Sequence, residues 1–194
     1  MKPLTEIYKE KFFARRCKLS WRAPVFCDAV QKCLRFKSYI DVGCAIGGIV
    51  AEFQKRNFDA CGIEGPENCV PYLEATMVHI MDIRRPISMG RDFDLVTCLE
   101  VVEHIEPEYE EQLIQNLVNL TGVWLLISAA PPGQGGHYHV NCQPHSYWIQ
   151  KFAEKGIVHH GVGTQLIKDN LEPWKQKDGI KAFYKNLLLF RNEA

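Results

Sequence analysis

Two carboxylates and an imidazole lie close together in one short segment of the sequence. Glu100, Glu103 and His104 are spaced i, i+3 and i+4, which places three side chains on one face of a helical turn. Carboxylate oxygens and imidazole nitrogens are ligands for divalent cations, so the spacing predicts a metal site. His139, in a later glycine-rich segment, is the candidate fourth ligand. A reading without a metal stays open, in which Glu100 orients a substrate and the other two residues cap or pack the next helix.

Two histidines in the segment 133–142 are candidates for proton transfer. His137 and His139 follow an apolar run and a stretch rich in proline and glycine, and histidine is the usual general base near neutral pH. We therefore expect His137 and His139, together with Glu100 and His104, to face a substrate as the catalytic set. The alternative is that the two histidines form a hydrogen-bonding pair that fixes the loop.

A glycine-rich turn follows the first apolar run. The run ends near Asp41, and Gly43 and Gly47 follow before a helical pattern begins. Glycine suits backbone that bends sharply or touches a ligand, and a helix start offers free N–H groups and a positive dipole end. One reading is a tight strand–helix turn without a ligand. Another is a nicotinamide-dinucleotide turn, although Ala45 replaces the middle glycine of G-x-G-x-x-G, where a pyrophosphate approaches most closely.

Short apolar runs alternate with longer helical patterns along the chain. Runs with almost no polar residue are typical of strands buried on both faces of a sheet. The alternation predicts an α/β fold, a doubly wound and mostly parallel sheet with helices on both faces. Strands are predicted at 38–42, 60–63, 78–81, 95–99, 123–129 and 186–190, and helices at 4–16, 48–56, 66–74, 108–119 and 144–155.

The domain organisation predicted from 194 residues is one domain with one sizeable core. We expect an N-terminal helical segment or lid over residues 1–36 and a sheet domain over residues 37–194. An insertion or connecting helix is expected near residues 165–181. Ligands of open sheets lie beyond the carboxyl ends of the strands, so the chemistry should lie directly after each strand.

The order of these features resembles the class I S-adenosylmethionine (SAM) dependent methyltransferases. The segment 41–47, D-V-G-C-A-I-G, resembles their motif I, with alanine at the middle glycine. The run 100–105, E-V-V-E-H-I, resembles motif IV of many small-molecule and sugar methyltransferases. The resemblance covers roughly residues 37–157 and the closing strand near Phe190. It implies a Rossmann-like seven-stranded sheet whose last strand is antiparallel, and SAM as the cofactor.

The resemblance also implies which residues would hold SAM. Asp41 and the backbone from Gly43 onward suit the amino-acid tail, which carries an ammonium group. Glu64, at the end of the second predicted strand, would accept the ribose hydroxyls, and Asp82, after the third, would face the adenine amino group. The full set of cofactor-binding residues predicted in this way is Asp41, Gly43, Cys44, Ala45, Gly47, Glu64, Gly65, Asp82, Ile83, Cys98 and Leu99.

The E-x-x-E-H run is similar to that of two metal-using groups, the ubiquinone-pathway O-methyltransferases and the small-RNA 3′-terminal 2′-O-methyltransferases. This similarity implies Mg²⁺ or Mn²⁺ on Glu100, Glu103, His104 and His139. The predicted function is methyl transfer from SAM to a hydroxyl of a small molecule or sugar. The alternatives are a metal-dependent RNA 3′-terminal 2′-O-methyltransferase, a nicotinamide-dependent oxidoreductase and a non-catalytic SAM-fold binding module.

Composition limits the partners and the setting. The 23 basic and 23 acidic side chains cancel, so net charge gives no indication of nucleic-acid or membrane binding. The eight cysteines form no C-x-x-C pair, which disfavours a structural zinc site. We expect a reducing cytoplasm, because there is no secretory signal and no apolar run long enough to span a bilayer. A small-molecule or sugar acceptor is the expected partner, and the oligomeric state stays open.

Overall fold

The computed structural model describes residues 2–193, which form one sheet of seven strands with helices on both faces. The strand order is β3-β2-β1-β4-β5-β7-β6. Strands β1 to β5 pair in parallel, whereas β7 is antiparallel to both of its neighbours. The strands are β1 (Ser38–Val42), β2 (Asp59–Glu64), β3 (Val78–Ile80), β4 (Phe93–Leu99), β5 (Thr121–Ser128), β6 (Ile157–His159) and β7 (Leu187–Asn192).

Eight α-helices and several short 3₁₀ turns connect and flank the strands in the described part of the chain. The α-helices are α1 (Leu4–Ile7), α2 (Glu10–Cys17), α3 (Arg22–Cys33), α4 (Gly48–Lys55), α5 (Glu110–Leu120), α6 (His145–Ala153), α7 (Gly161–Leu171) and α8 (Lys181–Asn186). No helix within residues 2–193 has the length and apolar character needed to cross a membrane.

Alternate residues of the central strands pack into two cores, one on each face of the sheet. Tyr39 and Leu95 belong to the core under α3, α4 and α7. Their chain neighbours Ile40 and Val96 belong to the core under α5 and α6. Because successive side chains of a strand point to opposite faces, a strand buried on both faces must be apolar throughout. That requirement is the reason for the nearly unbroken apolar runs.

The predicted doubly wound sheet with an antiparallel last strand is confirmed, and three local predictions differ. The predicted helix 66–74 is a 3₁₀ segment, Glu67–Tyr72, with Pro71 inside it; proline has no N–H for an α-helical hydrogen bond. The predicted helix 4–16 is interrupted at Tyr8, whose backbone is extended. The strand Ile157–His159 was not predicted, because three residues are too few for a periodic signal.

The centre of the sheet positions the site. Strands β1 and β4 lie side by side, with Asp41 opposite Thr97 in register. After β1 the chain continues to β2 on one side of β1, whereas β4 lies on its other side. The strand order reverses at this point, so a crevice opens beyond the carboxyl ends of β1 and β4. The predicted site residues lie at or beyond the carboxyl ends of β1, β2, β3, β4 and β5, and the N-terminal segment crosses above this edge.

Candidate active site

The glycine turn between β1 and α4 has a backbone that only a few residue types adopt. Gly43, Ala45 and Gly47 all have positive φ, at 80°, 55° and 72°. The N–H of Gly43 donates to the carbonyl of Ile63 at 2.8 Å, which fixes the turn to the end of β2. A Cβ on Gly43 would lie 2.5 Å from a methyl group of Val101. Glycine is therefore required at this position both for its conformation and for its lack of a side chain.

Asp41 presents a buried carboxylate at the end of β1. It is 4% exposed, and the Thr97 hydroxyl donates to its Oδ1 at 2.6 Å. Tyr39 completes the chain of hydrogen bonds, with its hydroxyl 2.7 Å from that of Thr97. Burial raises the pKa of Asp41 to about 6, against the opposing effects of the Thr97 hydrogen bond and of Arg22. A cationic ligand would favour the ionised form.

Glu64, at the end of β2, binds the backbone of the glycine turn. The N–H of Ala45 donates to one carboxylate oxygen at 2.5 Å, and the N–H of Gly65 donates to the other at 3.1 Å. Burial raises the pKa of Glu64 to about 7, although both hydrogen bonds lower it. The carboxylate thus lies where β1 and β2 both end, as the sequence predicted.

Arg22 is a residue that sequence reasoning missed. Burial, and then the neighbouring Arg16, lower the pKa of its guanidinium to about 10, while Asp41 and Glu100 raise it. The guanidinium lies 4.9 Å from the ring centroid of Phe183, and within residues 2–193 it makes no hydrogen bond or ion pair. It belongs to the first turn of α3, far from any motif, so only the fold shows that it reaches the crevice.

The predicted adenine side of the crevice carries an ionic network. Asp82 accepts hydrogen bonds from Arg84, including one from its Nη2 at 2.9 Å, and Arg84 also contacts Glu106 at 3.2 Å. A depression of about 380 Å³ lies beside Asp82, and its wall includes Gly65 and residues of the N-terminal segment. Asp82 therefore borders an open space, although its carboxylate is paired with Arg84.

The other predicted cofactor residues near these strand ends are mostly buried. Cys44 and Ile83 are 7% exposed and Leu99 is 9% exposed, at the edge of the core. Cys98 is fully buried in the core under α5 and α6, so only its backbone is near the crevice. A Cβ on Gly65 would meet the Leu4 side chain at 2.4 Å, which shows how closely the N-terminal segment covers this strand end.

The N-terminal segment forms a roof across the crevice. On the adenine side, Arg84 donates to the carbonyl of Lys2 at 3.2 Å, and the Asn68 side chain donates to the carbonyl of Tyr8 at 2.7 Å. At the opposite side, Nε2 of His137 lies 2.8 Å from the carbonyl of Ile7. The roof is thus attached to both sides of the crevice.

Three side chains converge beyond the end of β4 with the geometry of a metal site. Glu103, His104 and His139 each bring one potential ligand atom to within 4.8 Å of the others. Neither carboxylate oxygen of Glu103 has a partner at hydrogen-bond geometry among residues 2–193. Burial, followed by the nearby Glu100, raises its pKa to about 8, against a lowering by the backbone N–H groups of Glu103 and Ala130. An unpartnered buried carboxylate is costly, so this arrangement fits a missing cationic partner.

The two histidines of the triad are held by backbone carbonyls. Nδ1 of His104 lies 3.1 Å from the carbonyl of Tyr138, and Nδ1 of His139 lies 3.0 Å from that of Gln134. A carbonyl only accepts, so both Nδ1 atoms carry hydrogen, and Nε2 is the nitrogen that would offer a lone pair to a metal in the neutral ring. Burial and the neighbouring His139 lower the pKa of His104 to about 4. Neutral imidazoles with this second contact are typical of metal ligands.

Glu100 departs from the predicted geometry. The E-x-x-E-H run is not one helical turn: Glu100 has a φ of +54°, and the 3₁₀ turn covers only Val102–His104. The Glu100 carboxylate accepts hydrogen bonds from Asn186 at 3.0 Å and from Gln134 at 3.4 Å. The prediction of one shared helical face is therefore wrong, and Glu100 is not among the three residues whose ligand atoms converge.

A buried network fastens the loop that carries His139. The N–H groups of Val140 and Asn141 both donate to the carbonyl of Glu103 at 3.0 Å. The Asn141 side chain donates to the buried Glu110 at 2.7 Å, and the Tyr147 hydroxyl donates to the same carboxylate at 2.5 Å. The loop and the 3₁₀ turn are thus joined, which fixes His139 relative to Glu103.

The fold and the site together define a doubly wound α/β protein with an acid-lined cofactor crevice. The family described as "Methyltransferase domain" matches residues 19–155. A ubiquinone biosynthesis O-methyltransferase of Neisseria meningitidis serogroup C (strain 053442) is 30% identical over 145 residues, which cover 63% of this chain and 56% of that protein. The chain spans about half the length of the curated relatives that it matches.

Two solved structures show the same fold. A TehB-like SAM-dependent methyltransferase from Corynebacterium glutamicum has a TM-score of 0.66 at 15% identity, over 95% of this chain and 98% of that chain. The SAM-bound amino pentose methyltransferase CalS10 from Micromonospora echinaspora has a TM-score of 0.64 at 14% identity, over 88% and 91%. Because the family match covers most of the chain, the chain belongs to the methyltransferase domain family. The predicted resemblance to class I SAM-dependent methyltransferases is confirmed, in preference to the nicotinamide-dependent alternative.

Proposed function

We propose that the chain is an enzyme that transfers a methyl group from SAM to a hydroxyl oxygen of a sugar or other small molecule. The observation that carries the proposal is the crevice itself, where Asp41, Glu64 and the glycine turn meet beside the triad of Glu103, His104 and His139. A cofactor crevice next to a cluster of metal-ligand type places a methyl donor and an acceptor side by side.

The cofactor end of the crevice fits SAM in charge and shape. Asp41 would attract the ammonium group of the amino-acid tail, and the unpaired guanidinium of Arg22 would bind its carboxylate. Glu64 would exchange its hydrogen bonds with the turn for the ribose hydroxyls. The depression beside Gly65 and Asp82 would take the adenine. These placements extend the predicted cofactor set by Arg22.

The acceptor end would hold a divalent cation. Glu103, His104 and His139 offer one carboxylate and two imidazole nitrogens, a mixture that suits Mn²⁺ better than Mg²⁺, which prefers oxygen ligands. A bound cation would supply Lewis acidity, lowering the pKa of a hydroxyl held against it. Glu100 would join the ligands only after releasing Asn186, so we assign it to the acceptor hydroxyl.

The residues of this chain would act mainly by positioning. In the reaction the acceptor oxygen forms a bond to the methyl carbon, the carbon–sulfur bond breaks, and S-adenosylhomocysteine leaves with the sulfur electron pair. The acceptor proton needs a base, and His137 and Glu100 are the candidates near the acceptor, because His139 would be committed to the cation and to the Gln134 carbonyl. Nε2 of His137 is engaged with the roof, which leaves only its Nδ1 for a proton. The roof over the crevice would exclude water.

Transfer of labelled methyl from SAM to a panel of sugars, nucleotide sugars and catechols tests the proposal. The assay needs arms with added Mn²⁺, with added Mg²⁺ and with a chelator. Transfer that requires Mn²⁺ supports both the reaction and the triad. Transfer that survives exhaustive chelation removes the metal from the proposal, and absence of transfer to every oxygen acceptor contradicts oxygen methylation.

A further inference from the structure

A basic and aromatic surface lies at the edge of the crevice, although the whole chain has no net charge. Residues 9–22 carry six basic side chains and one acidic, and residues 174–185 carry four basic and one acidic. The fold brings these segments together, since the ring centroids of Trp21 and Trp174 are 5.9 Å apart. We call this surface, residues 9–22 and 174–185, the basic rim. Net charge conceals it because acidic residues elsewhere compensate.

Two tryptophans form an open wedge in the basic rim. Trp21 is 38% exposed and Trp174 is 39% exposed, and their rings are inclined by 42°. Lys177 and Asp178 complete the wall of a depression of about 370 Å³, a volume within the range of small-ligand sites. Tryptophan is enriched at binding interfaces, and a pair of partly exposed tryptophans beside a depression is a candidate ligand surface.

The wedge adjoins the candidate active site. Trp21 directly precedes Arg22, whose guanidinium interacts with Asp41 and Glu100. Gly179, next to the wall residue Asp178, packs against Arg22, and a Cβ there would lie 3.2 Å from the Arg22 side chain. Arg22 is therefore a neighbour both of the segment that carries the wedge and of the carboxylates of the crevice.

We propose that the wedge binds a nucleotide unit of the methyl acceptor. This inference rests on the proposed function, methyl transfer from SAM. The base would stack on Trp21 and Trp174, because an aromatic face accepts any base. Its phosphates would contact Lys177 and Lys181, which make no ion pair within the described residues and so are available to a ligand. The positive excess of the basic rim favours an anionic partner, such as a nucleotide, over a neutral sugar or an apolar ring.

Two sources share this chemistry, a nucleoside diphosphate sugar and the 3′ end of a single-stranded RNA. Either would place sugar hydroxyls toward Glu103 and His139 while its base lies in the wedge. The probes are therefore UDP-glucose and a short single-stranded oligoribonucleotide, each titrated by calorimetry into the whole chain. Calorimetry needs no tryptophan fluorescence, so the same measurement applies to variants in which a tryptophan is replaced.

The variants W21A and W174A should each weaken binding of whichever probe binds more tightly by at least about fivefold. That factor is the smallest expected when one base–aromatic stacking contact is lost. W21F and W174F retain a ring and should keep most of the affinity, which separates stacking from a folding defect. K177A/K181A should weaken binding and reduce its salt dependence. The matched control K32A/K55A removes two exposed lysines at the opposite end of the sheet and should bind as the unaltered chain does.

The outcomes separate the wedge from the methyl-transfer proposal, because S-adenosylhomocysteine is titrated alongside on the same proteins. Binding of either probe that falls in W21A and W174A, with product binding unchanged, supports the inference. UDP-glucose as the stronger probe identifies a small acceptor, and the oligonucleotide identifies a polymer. No binding of either probe, or equal binding by the alanine variants, overturns the inference. If the unaltered chain does not bind S-adenosylhomocysteine, that result contradicts only the proposed function.

Discussion

Nδ1 of His104 lies 3.1 Å from the carbonyl oxygen of Tyr138, a residue held at a positive φ of 57°. The contact engages Nδ1 of His104 and so leaves Nε2 as the ring nitrogen that is free for a ligand. Tyr138 therefore orients the ring through its backbone, and the loop after β5 prepares the triad before any ligand arrives.

The triad should bind Mn²⁺, and its three members should contribute most of the affinity. We expect E103Q, H104A and H139A each to weaken Mn²⁺ binding by at least about tenfold. Replacing a residue that only hydrogen-bonds to a metal ligand already lowers metal affinity by about that factor. E100Q should have a smaller effect, because Asn186 and Gln134 hold its carboxylate. Calorimetric titration of Mn²⁺ measures this, with H79A on the edge strand β3 as the control. An E100Q effect equal to that of E103Q would restore the four-ligand site.

Gly43 should tolerate alanine less well than a glycine with a similar backbone. Gly43 and Gly90 both have positive φ, at 80° and 69°, but only at Gly43 would a Cβ meet Val101. G43A should therefore cost about 1–3 kcal/mol more than G90A in the free energy of unfolding, as overpacking does. Urea denaturation measures the difference, and G43A/V101A should recover part of it. Equal costs in G43A and G90A would show that Val101 does not limit the turn.

Binding of S-adenosylhomocysteine should strengthen as the pH rises from 5.5 to 7.5. Burial raises the pKa of Asp41 to about 6 and that of Glu64 to about 7, so the free protein holds protons there that the cationic, hydroxyl-bearing ligand displaces. We expect the affinity to rise by roughly tenfold or more over this range, with release of protons. Calorimetry in buffers of different ionisation enthalpy counts those protons. An affinity independent of pH would contradict the assignment.

The raised pKa values of Asp41 and Glu64 also determine whether the ligand-free protein becomes more or less stable as the pH rises. A carboxyl group whose folded pKa is raised binds more protons in the folded state than in the unfolded state. The contribution of Asp41 and Glu64 to the free energy of unfolding therefore falls as the pH rises from about 4 through about 7. D41N and E64Q should flatten this part of the stability profile.

Arg22 should be needed for cofactor affinity. Its guanidinium makes no hydrogen bond or ion pair within residues 2–193, and the charges of Asp41 and Glu100 act on it. R22A should weaken SAM binding by about 10- to 100-fold, the value of a hydrogen bond to a charged group, and R22K should lose less. The measurement is the KM for SAM, and R91A, which removes an exposed arginine paired with Asp59, is the control. Equal KM values for R22A and R91A would exclude Arg22 from the cofactor site.

The sequence predicted the central strands well and the arrangement of the motif residues only in part. The strand Ser38–Val42 has the predicted bounds because burial on both faces demands an apolar run. Glu100 has a positive φ, but glutamate is common in helices, so the sequence gives no indication of this backbone conformation. The expected helical face shared with Glu103 was therefore wrong. Arg22 and Trp174 could not be assigned, because only tertiary packing brings α3 and the segment before α8 to the crevice.

Calorimetric titration of S-adenosylhomocysteine, with NAD⁺ as the comparison ligand and D41N as the variant, decides whether the crevice is a SAM site. We expect the unaltered chain to bind S-adenosylhomocysteine in preference to NAD⁺ and D41N to lose most of that affinity. Binding of NAD⁺ in preference, or no binding of S-adenosylhomocysteine, would contradict the proposed cofactor. Undiminished binding by D41N would contradict the place of Asp41 in the site.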